Sequence, residues 1–175
     1  MAITQSLASS PPPRSAVNKR ALVKKVIAQL QKEMESYARA ARTAHEEATD
    51  PQNKAENKYD TRGLESAYLA SAQSRQAADT QTAIEAFEKL ALKNFKDFDP
   101  IDLTAFVEVE TRGERMFFFV GPCKGGLEVA HGTEEVVVIT PQAPLGQQLV
   151  GRRTGDRFKW GTGSSALEYR IIAVA

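Results

Sequence analysis

Residues 16–49 read AVNKRALVKKVIAQLQKEMESYARAARTAHEEAT, a run without glycine or proline. Within it Val23, Ile27, Leu30, Met34, Tyr37, Ala41, Ala44 and Ala48 are spaced 4-3-4-3-4-3-4. This is the 3.5-residue repeat of a helix packed along its length against another helix. The partner lies in the same chain. After a break at 49–63, Ala67, Ala70, Ser74, Ala77, Ile84, Phe87 and Ala91 recur at comparable spacing. Two antiparallel helices of about 30 residues each make a rod roughly 45 Å long, at about 1.5 Å of rise per residue. Its interior tapers, from Val23, Ile27, Leu30, Met34, Ile84 and Phe87 at one end to alanines at the other. The taper fits a packed helical hairpin and also suits insertion into a confined channel.

The whole chain has 175 residues, 23 basic and 22 acidic, for a net charge of +1. No global field draws it to nucleic acid or to a membrane surface. Cys123 is the single cysteine, which excludes a disulfide framework and a cysteine-rich zinc site. No segment reaches the roughly 18 apolar residues that span a bilayer. Residues 1–15 carry Ser9, Ser10 and Pro11 to Pro13 but no basic start and no apolar core. They read as a disordered tail and not as a signal peptide, so a cytoplasmic protein is expected.

Near residue 94 the periodicity changes to two. Asn94 to Pro100 reads as a linker, with Pro100 barring further helix. Beyond it Leu103, Ala105, Val107 and Val109 alternate with Thr104, Phe106, Glu108 and Glu110, up to a turn at Thr111-Arg112-Gly113. Met116 to Val120, Leu127 to Val129 and Glu135 to Thr140 are further strands. Arg157 to Trp160 and Leu167 to Val174 pair across Gly161-Thr162-Gly163 as a hairpin. A short helix over Pro144 to Val150 has proline at its first position and Gly151 just past its end. The expected class is α+β. A disordered tail (1–15) and a coiled-coil hairpin (16–93) with an acidic tip near 46–63 precede a linker (94–102) and a small β-rich domain (103–175).

The hairpin turn holds five carboxylates within fifteen residues: Glu46, Glu47, Asp50, Glu56 and Asp60. Such oxygens suit magnesium, which takes one or two carboxylates together with waters and phosphates. Lys54, Lys58 and Arg62 are interleaved, so a solvated loop tip is the plainer alternative, and Asp50 or Asp60 also suits a cap or turn. His45 reads as a surface residue and His131, beside Gly132, as a turn residue. Lys19, Arg20, Lys24, Lys25, Arg39 and Arg42 along the first helix form a solvated face or one that meets nucleic acid. No glycine-rich phosphate loop, nucleophile elbow or Cys/His pairing is present.

The run Thr140-Pro141-Gln142-Ala143-Pro144-Leu145-Gly146-Gln147-Gln148-Leu149-Val150-Gly151-Arg152-Arg153-Thr154-Gly155-Asp156 resembles the "SPLGxALLGKKxGD" segment of the Gre-type bacterial transcript-cleavage factors. It is followed, as in them, by a strand, a glycine-containing turn and a last strand. The resemblance covers residues 16–175 and implies a coiled coil followed by a domain of FKBP-like fold. It implies further that the β domain docks on bacterial RNA polymerase at the rim of the secondary channel, through Gln142, Ala143, Pro144 and Leu145. The coiled coil then reaches inward, toward the RNA 3′ end and DNA of the elongation complex. The family's tip segment, "GDLSENAEY", aligns with Thr49 to Asn57. Asp50 falls on its Asp and Glu56 on its later Glu, while Asn53 replaces the first Glu. An amide oxygen is a neutral, weaker magnesium ligand and cannot act as a general base. Glu46, Glu47 or Glu56 would have to assist Asp50.

The implied function is a Gre-like elongation regulator bound in the secondary channel that stimulates cleavage of backtracked RNA. It needs no cofactor of its own, only the Mg2+ of the polymerase, to which Asp50 would contribute a ligand. The polymerase remains the enzyme. Three alternatives stand beside it: a non-catalytic occluder of the channel, a generic coiled-coil adaptor, and a prolyl isomerase using Phe117, Phe118, Phe119, Phe158 and Trp160. Those aromatics are more simply core.

Overall fold

The computed structural model describes residues 17–50, 62–96, 98–161 and 166–175. Helix α1 spans Lys19–Thr49 and helix α2 spans Arg62–Glu88. Asn18 caps α1, its Oδ1 accepting from the Ala21 N–H at 3.0 Å. The helices are antiparallel. At one end Val23 and Val26 share a core with Ile84 and Phe87. At the other, a Cβ on Gly63 would lie 3.9 Å from the Ala48 carbonyl oxygen. α2 stops at Glu88, before Ala91.

Six strands follow: β1 (Phe106–Thr111), β2 (Glu114–Val120), β3 (Glu128–His131), β4 (Glu134–Ile139), β5 (Arg157–Trp160) and β6 (Leu167–Val174), with helix α3 (Pro144–Leu149) between β4 and β5. They form one mixed sheet in the order β3-β4-β2-β1-β6-β5. Only β2 and β4 run parallel. The architecture is α+β, a helical hairpin followed by a β domain, as the period change near residue 94 predicts. Arg112 (φ 51°) and Gly113 (φ 82°) make the two-residue turn joining β1 and β2. Positive φ at both positions gives that turn the twist of the strands it connects.

Two expectations from periodicity need correction. β1 starts at Phe106, not Leu103, because Thr104 sits at φ 75°, outside the strand region. That costly conformation for a β-branched residue is held at all three of its polar groups. The Thr104 N–H donates to Val120 O (2.8 Å), its Oγ1 accepts from the Lys93 N–H (3.0 Å), and its carbonyl accepts from Lys19 Nζ (3.2 Å). The second correction concerns alternation, which does not separate core from solvent in β1: Phe106 and Glu108 are buried as well as Val107 and Val109. Each side of the sheet carries its own core. One holds Phe106, Phe119, Val129, Val136 and Val138 against Leu22, Val26, Leu30 and Phe87 of the hairpin. The other holds Val107, Val109, Phe118, Val120, Phe158 and Ile171 against Ile101 and Leu149.

The helical stripe also shifts at the base of the rod. Leu22 and Val26 are fully buried there, whereas Ile27 is half-buried, because that end meets the sheet as well as α2. Not all the basic residues of α1 form a solvated face. Lys19 is buried, its Nζ donating to the Lys93 and Thr104 carbonyls and lying 4.9 Å from the centroid of the Phe95 ring. Burial holds its pKa below the usual lysine value. Lys25 Nζ donates to Ala130 O at 2.8 Å, and Lys124 Nζ donates to Thr80 Oγ1 at 3.1 Å. Hairpin and sheet are therefore tied by polar bonds as well as by a shared core.

Phe87, 1% exposed, fills the centre of that shared core. Phe87→Ala is expected to destabilise the protein by about 3–5 kcal/mol, visible as a lowered thermal midpoint in circular dichroism. His131 closes β3, its ring centroid 6.5 Å from that of Phe106 and its Nδ1 buried without a hydrogen-bond partner. Burial first, then the Lys25 ammonium, push its pKa below the ordinary 6.5. The unfolded chain thus binds the proton more readily than the fold does. Stability should fall as pH drops below about 6.5, through the lower folded value, and stay flat in this group above it. Denaturant titrations between pH 7.5 and 5 should show a decline that His131→Phe reduces.

Candidate functional site

The first candidate site lies at the far end of the hairpin. α1 ends at Thr49, whose Oγ1 donates back to His45 O at 2.9 Å. Asp50 is the C-cap, with φ −63° and ψ 121°, so the chain turns extended at this carboxylate. Glu46 and Glu47 occupy the exposed last turn of α1. The helix dipole is negative there, and no basic residue stands in that turn. Three carboxylates are thus gathered at one helix end, where local helix stability would favour cations. Among the described residues no group of three or more His, Cys, Asp or Glu side chains converges to hold a metal ion. Asn53, Glu56 and Asp60 lie outside the described residues. The fold places Asp50, Glu46 and Glu47 close in the chain at the end of a helix of about 46 Å, at about 1.5 Å per residue.

The second candidate site is the loop from β4 into α3. The Ala143 N–H donates to Thr140 O at 3.0 Å, closing a turn over Pro141 and Gln142. Pro144 then opens α3, and Ala143 O accepts from the Gln147 N–H at 2.9 Å. The Gln147 side chain folds back, its Nε2 donating to Gln142 O at 3.1 Å. Gln142 and Pro144 are exposed, Ala143 is half-buried, and Leu145 packs against the core that holds Ile101 and Leu149. Gly146 explains how tight the loop is, since a Cβ at this position would stand 1.9 Å from Thr140 O. The C-terminal end of α3 is anchored too, with the Gly151 N–H donating to Ile101 O and the Ile101 N–H to Arg152 O, both at 2.8 Å. The result is a rigid knuckle presenting Gln142 and Pro144 outward.

The aromatic residues weighed for a proline pocket do not converge. Phe117 and Phe119 face the hairpin side, whereas Phe118, Phe158 and Trp160 belong to the opposite core. Sequence reading missed the steric role of Gly146 and the interdomain ties of Lys19, Lys25 and Lys124. The glycine was visible as part of a motif, but its contact with Thr140 O exists only in the folded chain. Gly146→Ala should displace the 140–146 loop and lower the thermal midpoint by several degrees. Unchanged stability of that variant would show that the loop yields at no cost.

Residues 99–175 match the family model described as "Transcription elongation factor, GreA/GreB, C-term". Among solved structures, the chain is similar to the GreA factor homolog 1 (Gfh1) protein of Thermus thermophilus, with 23% identity, 87% of this chain and 94% of that one covered, and a TM-score of 0.37. Gfh1 of Thermus aquaticus gives 22% identity, coverages of 89% and 94%, and a TM-score of 0.35. A GreA/GreB factor from Nitrosomonas europaea gives 19% identity, coverages of 54% and 78%, and a TM-score of 0.34. No curated protein matches the chain. No helix among the described residues is long and apolar enough to cross a membrane. Residues 99–175, which hold the β domain, are thus similar to the C-terminal domain of the GreA/GreB transcription elongation factors.

Proposed function

We propose that the protein regulates transcription elongation by binding bacterial RNA polymerase at its secondary channel. The β domain docks through the Gln142–Leu145 knuckle, and the hairpin carries Asp50 toward the active site. The observation that carries this reading is the family match over residues 99–175, which contains the knuckle. The geometry supports it in two ways. Backbone hydrogen bonds and Gly146 pre-form the knuckle, so little ordering entropy is lost on docking. The hairpin also stands its acidic end a long way from the sheet, so a carboxylate can reach a site distant from the docking surface.

In this reading the protein has no metal centre of its own. The carboxylate of Asp50 supplies an oxygen ligand to a Mg2+ ion held by the polymerase, which helps activate the water that cleaves backtracked RNA. Glu46, Glu47 or Glu56 assists, because Asn53 offers only a neutral oxygen. That asparagine and the neighbouring Lys54 and Lys58 favour a second reading, in which the tip fills the channel without promoting hydrolysis.

Stalled, backtracked elongation complexes distinguish the two. With the wild-type protein and Mg2+, shortened transcripts should appear, and Asp50→Ala should abolish them while polymerase binding persists. Binding without shortening by the wild type establishes the occluder, in which case Asn53→Glu should create cleavage. Absence of binding rejects both readings.

A further inference from the structure

One peptide of the knuckle, between Gln142 and Ala143, is pinned at both of its polar groups. Its N–H donates to Thr140 O at 3.0 Å, and its carbonyl accepts from Gln147 Nε2 at 3.1 Å. Gln147 also donates its backbone N–H to Ala143 O at 2.9 Å, so a single residue grips two successive carbonyls. Among the described residues, the bond from Gln147 Nε2 is the one side-chain hydrogen bond made to the 140–146 loop. It is not a helix cap. The start of a helix leaves N–H groups that need acceptors, whereas Gln147 supplies a donor, and to a carbonyl outside α3. Ala143, at the N-cap, makes no side-chain cap bond either. The next glutamine faces the other way. Gln148 O accepts from Arg152 Nε and Gln148 Oε1 from Arg152 Nη2 at 3.4 Å, which fastens the far end of α3, beside the buried Leu149. Gln147 and Gln142 are both exposed.

We propose that Gln147 is a positioning residue for the docking loop, its side-chain amide setting the direction in which Gln142 meets the polymerase. This rests on the polymerase reading above and adds a residue that acts through its neighbour and not by contact. The fold does not need the bond. Water replaces an exposed neutral hydrogen bond at little net cost, and α3 is anchored from its other end through Ile101 and Gly151. Docking does need it. A loop already held in its bound shape loses less conformational freedom on association than one that must be ordered first. With the Gln147 amide gone, the Gln142 carbonyl turns to water, so the fold persists while the preferred shape of the loop weakens. The chemistry required at position 147 is narrow, an uncharged N–H donor. A glutamate of the same size presents acceptors only, and its charge repels the carbonyl it would face.

The test is affinity for the cognate core polymerase, measured by biolayer interferometry with the full chain, beside the thermal midpoint of each variant. Gln147→Ala should bind about three- to fivefold more weakly, with its midpoint within about 1 °C of wild type. Gln147→Glu, equal in size but without a donor, should bind at least as weakly. A double-substitution cycle then separates positioning from contact. In a Gln142→Ala background, Gln147→Ala should cost less than about twofold, because the side chain that it directs is gone. Wild-type affinity in Gln147→Ala overturns the proposal. So does an equal loss in both backgrounds, which gives Gln147 a polymerase contact of its own. Wild-type affinity in Gln142→Ala removes the residue through which Gln147 would act, and a midpoint several degrees lower in Gln147→Ala makes the bond part of the fold; either result also overturns it. A wild type without any polymerase affinity overturns it together with the reading it rests on.

Discussion

The seating of the hairpin base on one face of the sheet governs everything else in this molecule. Leu22, Val26, Leu30 and Phe87 press onto Phe106, Phe119, Val136 and Val138, so two elements far apart in the chain share one core. The contact depends on a missing side chain. At Gly121, after β2, a Cβ would fall 2.9 Å from Val138 Cγ1 and 3.2 Å from the Phe87 ring. Without it the ring lies close against the strand end. Burial of this kind is nondirectional, and direction comes from the polar ties. Lys19, Lys25 and Lys124 each donate across the joint to a carbonyl or hydroxyl oxygen, fixing how the helices leave the sheet.

From that base the packing thins outward. Leucine, isoleucine and phenylalanine give way to alanine, so the helices remain close while the core between them shrinks. A helix pair with so little surface buried in its outer half draws its stability mainly from the anchored end. The carboxylates at the end of α1 follow the same logic. Placing Glu46, Glu47 and Asp50 at the negative end of a helix works against the local dipole by about 0.3–1 kcal/mol each. The opposite side of the sheet serves another purpose. There Leu149 and Ile101 close a second core, and the 140–151 segment is held by backbone bonds at both ends. The two candidate sites are built by contrasting means, one as a rigid knuckle and one as a slender lever.

Much of this was legible in the residue pattern, because local rules decide it. The heptad stripe specifies paired helices, and the shift to a period of two near residue 94 specifies strands. Gly113, Pro144 and Gly151 punctuate their ends for reasons of backbone conformation alone. β5 and the first half of β6 fall where alternation puts them, whereas from Ile171 to Val174 the alternation breaks where the register against β1 shifts. β1 departs from the rule as well: both its faces are buried, so alternation there reports two cores, and Thr104 delays its start through a left-handed backbone that no pattern announces. The family motif over residues 140–156 was readable as well, and so was the substitution of Asn53 in the tip.

By itself, then, the sequence determined the α+β class, the order of hairpin and β domain, the family motif and the residues of the acidic turn, because each depends on neighbours within a turn or two of chain. Only the tertiary structure decided which lysines of α1 turn inward, that Gly146 lies against Thr140 O, and that Leu64, Tyr68 and Leu69 stand outside a rod lined with alanine. Those outcomes depend on surfaces brought together across the fold, where burial and hydrogen-bond satisfaction are settled jointly by elements distant in the chain.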